Sequence, residues 1–133
     1  MSSIEKLILL VEDNEDDVFF LKRALKEAKL SLPLQVLEDG QQALDYLSGT
    51  GPYADRTLHP LPHLIFLDLK LPYIEGFELL AWMRDNPALK DTPVAILTSS
   101  PEDRDQERAK ELNAKTYLVK PPTAKMVLDA ITF

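Results

Sequence analysis

Four short aliphatic runs, Leu7–Val11, Leu64–Leu67, Val94–Leu97 and Tyr117–Val119, are set apart from one another by stretches with helical period. Runs this short, apolar at almost every position, predict strands buried on both faces. Leu34–Leu37 is a weaker fifth. Between the first two runs, in Asp16–Lys29, residues Val18, Leu21, Ala24, Leu25 and Ala28 share one helical face, whereas Lys22, Lys26 and Glu27 fall elsewhere and Phe19 lies opposite the apolar stripe. Helix starts are marked by Asn14, Asp39, Ser100 and Thr123, each able to cap free backbone N–H groups. Asn113 can take the left-handed conformation that ends the fourth helix. Five β-α units result. Their alternation predicts an α/β fold, a doubly wound five-stranded parallel sheet with helices on both faces and right-handed crossovers, in an order such as 2-1-3-4-5. Ser48–His63, with Gly49, Gly51, Pro52, Pro60 and Pro62, is too long and proline-rich for a tight connection and reads as an irregular surface loop.

A chain of 133 residues, 45% hydrophobic, suits a single core, so one domain over residues 1–133 is expected. A net charge of -7 argues against nucleic acid as a ligand, because phosphate backbones are bound by basic faces. No apolar run approaches the roughly 20 residues that span a bilayer, so no membrane crossing is expected. There is no cysteine and no signal-like start, and a cytoplasmic location is the expectation.

Chemistry gathers where the strands end. Val11 runs into Glu12 and Asp13, Leu67 into Asp68, Leu97 into Thr98 and Val119 into Lys120. In open α/β sheets ligands bind outside the carboxyl ends of strands, at the crevice where strand order reverses, which here lies between the first and third strands. Carboxylates meeting there repel one another unless a cation neutralises them, and an all-oxygen set without His or Cys suits Mg²⁺. Lys120 and Thr98 can hold phosphoryl oxygens during transfer, and Asp68, central in the sheet, can act as the nucleophile that forms an aspartyl phosphate. Taken singly, each acid reads as a helix cap or exposed residue, Lys120 as a solvated lysine and Thr98 as an ordinary strand residue. Their recurrence at strand ends favours the joint reading.

Leu-Val-Glu12-Asp13-Asn-Glu-Asp-Asp, Asp68-Leu-Lys-Leu-Pro72-Tyr-Ile-Glu-Gly76, Leu-Thr98-Ser99-Ser and Val-Lys120-Pro121 together resemble the receiver domain of two-component response regulators, over essentially the whole chain. The resemblance implies a flavodoxin-like (CheY-like) fold and phosphorylation of Asp68 by a sensor histidine kinase. It implies that Asp13 ligates Mg²⁺ directly, Glu12 mainly through water, and that the Lys70 carbonyl supplies another ligand. Thr98 would turn toward the phosphoryl group, Lys120 would pair with it, the Lys120–Pro121 peptide would be cis, and Tyr117 would be the aromatic switch that follows Thr98. Phosphorylation would then shift an existing equilibrium, with slow self-dephosphorylation reversing it. Helix 4, strand 5 and helix 5 would form the output face and a homodimer surface.

Two departures bear on that face: Pro122 stands where an aromatic is common, and the last helix is short, ending at Phe133. Lys70, two residues past the acceptor, carries a charge able to alter how fast water removes the phosphoryl group. Phe19 sits on the helix that faces the phosphodonor in the family, which implies a kinase contact against the plainer reading of a lone exposed apolar residue. The long loop and Asn-Glu-Asp-Asp look like stand-alone receivers paired with bacterial phytochromes. His59 and His63 read as surface histidines.

Three rivals share parts of this pattern. A phosphohydrolase of the haloacid-dehalogenase type needs a second Asp as proton donor where this chain has Lys70. A flavodoxin would need a Ser/Thr-rich phosphate loop where Glu12-Asp13-Asn14-Glu15-Asp16-Asp17 would repel phosphate. A receiver-like interaction module that is never phosphorylated has no use for the intact set of Glu12, Asp13, Asp68, Thr98 and Lys120, yet remains the alternative.

Overall fold

The computed structural model describes residues 7–132. Its strands are β1 (Ile8–Val11), β2 (Leu34–Leu37), β3 (Leu64–Leu67), β4 (Val94–Thr98) and β5 (Thr116–Val119), and its helices α1 (Glu15–Glu27), α2 (Gly40–Ser48), α3 (Gly76–Arg84), α4 (Asp103–Glu111) and α5 (Ala124–Ile131). The strands pair in parallel in the order β2-β1-β3-β4-β5, the doubly wound arrangement expected of the alternation. β1 and β3 are apolar throughout, and β4 up to its last residue Thr98, because both faces are covered. Leu9, Val11, Ile65, Leu67 and Ile96 pack against Tyr46, Leu79, Leu80 and Met83 of α2 and α3. Ile8, Leu10, Phe66 and Leu97 meet Leu21, Leu25, Val127 and Ala130 of α1 and α5 on the other face. Such full burial contributes about 1.5–3 kcal/mol per large apolar side chain. Among the described residues, no helix is long and apolar enough to cross a membrane.

The last strand departs from the expectation of burial on both faces: β5 is a sheet edge, with Val119 exposed and Tyr117 half-buried. The caps at Asn14, Asp39 and Thr123 form as expected, each side chain accepting an N–H from three residues on. Ser100 does not cap α4. Pro101 disfavours a helical conformation in the residue before it, so the helix starts at Asp103 beyond Glu102. Ser100 instead accepts the Glu102 N–H and donates its hydroxyl to Asp105. Asn113 has a φ of 58°, and the Ala114 N–H then bonds back to the Ala109 carbonyl, closing α4. Phe133 lies outside the described residues.

Residues 48–63 are more ordered than an irregular surface loop. After a short 3₁₀ turn at Gly51–Tyr53, the Arg56 guanidinium donates to the carbonyls of Tyr46, Leu47 and His59 at 2.7, 2.8 and 3.1 Å, tying the loop to the end of α2. The Tyr46 hydroxyl donates to the Pro60 carbonyl, and the His59 ring stands edge-on to Tyr46 and Tyr53. Both histidines are therefore half-buried rather than surface residues: His59 is held in an aromatic cluster, and the His63 N–H donates to the Leu7 carbonyl beside the sheet.

Two close approaches set the backbone around the strand ends. A Cβ at Gly76 would stand 2.3 Å from the Asp68 carbonyl oxygen, and one at Gly40 only 2.0 Å from the carbonyl oxygen of Ile74. Only glycine lets α3 begin directly against the end of β3 and α2 abut the β3–α3 loop.

Candidate functional site

Parallel register brings the strand ends level: Val11 is paired with Leu67, and Thr98 with Val119. The residues that follow consequently meet in one crevice. One carboxylate oxygen each from Glu12, Asp13 and Asp68 lies within 4.8 Å of the others, with Glu12 and Asp68 buried and Asp13 exposed. Lys120 reaches across from the end of β5, its Nζ 2.6 Å from Glu12 Oε1, 2.9 Å from Asp17 Oδ2 and 3.2 Å from Asp68 Oδ2. Asp68 Oδ1 accepts the Leu69 N–H at 2.7 Å, which fixes one oxygen of the carboxylate and leaves the other toward the ammonium. Thr98 is buried at the end of β4, and its Oγ1 accepts the Ser100 N–H at 3.4 Å.

The electrostatics follow from crowding and burial. Burial pushes the Glu12 carboxyl up to about 7, against the lowering effect of Lys120, and the neighbouring Asp68 charge adds to the rise. Burial alone would depress the Lys120 ammonium, but the close Asp17 and Glu12 carboxylates and the charge of Asp68 outweigh it and raise the pKa. Glu12 Oε1 is enclosed and accepts no hydrogen bond, so its 2.6 Å contact with Lys120 is an ion pair without good hydrogen-bond direction. An enclosed carboxylate oxygen left in this state, beside two further carboxylates and without nitrogen or sulfur donors, fits a hard divalent cation. Glu12, Asp13 and Asp68 are the side chains that would hold it.

Around this centre, the expected residues are distributed as follows. The Lys120–Pro121 peptide is cis. Tyr117 is half-buried, its hydroxyl donating to the Ser100 carbonyl at 2.7 Å, so the expected switch residue is latched to the β4–α4 loop. The Lys70 side chain is exposed. Phe19 is 58% exposed on α1, with the Phe20 ring edge-on beside it. Sequence reasoning missed Asp17. A signal was present, because Asp17, Leu21 and Ala24 share one helical face, which places a carboxylate on the buried stripe of α1. Nothing in the linear pattern pairs it with Lys120, 103 residues away.

A doubly wound parallel sheet that gathers three carboxylates, a buried hydroxyl and an ammonium at its strand ends defines the class of aspartate-centred signalling domains built on the flavodoxin-like fold. Residues 8–132 match the family described as the response regulator receiver domain, and the chain belongs to that family. It is 40% identical to the response regulator Rcp1 of Synechocystis sp., over 90% of this chain and 79% of that protein. A solved structure of Rcp1 in a Mn²⁺-bound form covers 94% of this chain and 88% of its own, at 37% identity and a TM-score of 0.80. The bacteriophytochrome response regulator RtBRR matches 96% of this chain and 76% of its own, with 42% identity and a TM-score of 0.86. The phosphorylated cyanobacterial phytochrome response regulator RcpA covers 96% and 89%, at 32% identity and a TM-score of 0.82. The fold is that of CheY-like receivers, and the chain is a receiver domain of the two-component system.

Proposed function

We propose that Asp68 accepts a phosphoryl group from a phosphohistidine of a sensor histidine kinase in a Mg²⁺-dependent reaction, and that residues 1–133 act as one receiver domain controlling protein partners. The observation that carries this reading is the placement of Asp68: buried, one oxygen tied to the Leu69 N–H, the other 3.2 Å from Lys120, within the acidic cluster. A carboxylate oxygen of Asp68 attacks phosphorus, the P–N bond to the donor imidazole breaks, and the new acyl phosphate O–P bond forms on Asp68. Mg²⁺ held by Glu12, Asp13, Asp68 and the Lys70 carbonyl would supply positive charge toward the phosphoryl oxygens. Lys120 donates to those oxygens, and Thr98 turns its hydroxyl from the Ser100 N–H toward them.

Loss of that Thr98 contact loosens the loop that Tyr117 grips through the Ser100 carbonyl, which transmits the change to α4 and β5. The output and dimer surface is then α4, β5 and α5. Slow hydrolysis of the acyl phosphate resets the switch, with Lys70 close enough in sequence to influence it. Likeness to Rcp1 and to bacteriophytochrome response regulators supports a phytochrome-type kinase as the donor. The test is incubation with acetyl phosphate and Mg²⁺ followed by intact-mass measurement. Wild type should gain one phosphoryl group and Asp68→Asn none. No addition to wild type, or equal addition to the variant, would overturn the reading and favour an interaction module that is never phosphorylated.

A further inference from the structure

Lys120 is shared between two places. Two of its carboxylate contacts, Glu12 and Asp68, belong to the acidic cluster; the third, Asp17, comes from α1 and stands apart from it. The Asp17 contact is a hydrogen bond of 2.9 Å, shorter than the 3.2 Å to Asp68, between side chains 29% and 11% exposed. Asp17 is itself firmly placed, because its backbone N–H donates to the Asn14 cap and its neighbours on the helical stripe, Leu21 and Ala24, are buried in the core. An ammonium has three N–H donors, and three carboxylates surround this one. Two of its N–H donors are bonded to Asp17 and Asp68 and the third faces Glu12 without good hydrogen-bond direction, so a further anion must compete with these carboxylates for the charge.

We propose that Asp17 is a positioning residue for Lys120: it draws the ammonium toward α1 in the resting protein and competes with phosphoryl oxygens on Asp68 for it. The inference rests on the phosphoacceptor reading given above. It has two consequences of opposite sign. By pulling Lys120 away from Glu12 and Asp68, and by adding negative charge, Asp17 favours a divalent cation in the cluster. By holding Lys120 and repelling anions, it disfavours a phosphoryl group.

The experiment measures two constants by calorimetry on the full chain: the dissociation constant of Mg²⁺ alone, and that of beryllofluoride, an acyl phosphate mimic, at saturating Mg²⁺. For Asp17→Asn, Mg²⁺ should bind more weakly and beryllofluoride more tightly, each by about fivefold, the size expected of a partly exposed ion pair. Asp16→Asn removes the same charge from an exposed neighbour and should shift either constant by less than about twofold. Asp17→Glu, which keeps a carboxylate within reach of Lys120, should restore values near wild type. A merely structural loss would weaken both ligands together. If the two constants of Asp17→Asn fail to move in opposite directions, or move no further than those of Asp16→Asn, the role assigned to Asp17 is wrong. If beryllofluoride does not bind wild type at all, the phosphoacceptor reading fails instead.

Discussion

Glu12 offers a test of the site's electrostatics that needs no kinase and no phosphodonor. Its side chain is 1% exposed, and burial lifts its carboxyl from 4.5 to about 7 in the folded protein. Between those values the native state retains a proton that the unfolded chain has released. Stability changes with pH in proportion to protons bound unfolded minus protons bound folded, a negative quantity here, so Glu12 makes the fold less stable as pH rises through this window. At 1.36 kcal/mol per pH unit the loss comes to about 3 kcal/mol, an appreciable part of the 5–15 kcal/mol typical of a domain. Lys120, whose folded value is raised, contributes no slope at these pH values because it is charged in both states. Urea unfolding in EDTA from about pH 4.5 to about pH 7.5 should show this decline in wild type and its absence in Glu12→Gln. The difference between the two curves isolates Glu12, since the remaining carboxylates are common to both. Adding Mg²⁺ should offset the decline, because metal binding favours the deprotonated carboxylate. Parallel stability curves for wild type and Glu12→Gln in EDTA would refute the assignment of this proton to Glu12.

Two further predictions concern the phosphorylated protein and its donor. Lys70→Ala should change the half-life of the acyl phosphate by about twofold or more, since it removes an exposed cation two residues from the acceptor; an unchanged decay rate with Mg²⁺ present, followed by intact mass, would leave Lys70 no part in hydrolysis. Phe19→Ala should slow transfer from a phosphorylated phytochrome-type kinase about tenfold while leaving acetyl phosphate labelling intact, because the ring is exposed on α1 and supports nothing in the core; normal kinase kinetics would show that its exposure is incidental.

Much of this architecture is legible because its determinants are local. Full burial leaves a run such as Leu64–Leu67 apolar at every position, and a cap such as Asp39 needs a side chain only three residues from the N–H it accepts. Ser100 was misread for an equally local reason, since Pro101 moved the helix start beyond it. The edge character of β5 was not legible: Tyr117–Val119 reads like a central strand, and Val119 is exposed where β5 has β4 alone as its strand partner among the described residues. The same holds for the loop over residues 48–63, whose prolines and glycines suggest irregularity, while the carbonyls that Arg56 collects become neighbours only when α2 and the loop fold back on each other.

The sequence by itself determined which side chains stand at the ends of β1, β3, β4 and β5, and parallel pairing then required Glu12, Asp13, Asp68, Thr98 and Lys120 to share one crevice. Only the tertiary structure decided how their charges are divided. Coulombic and desolvation energies depend on distances of a few ångströms and on what else excludes water, and neither quantity is written in residue spacing. That is why Glu12 emerges with a proton held to about pH 7, and why Lys120 is shared with Asp17 as well as with the acceptor it was expected to serve.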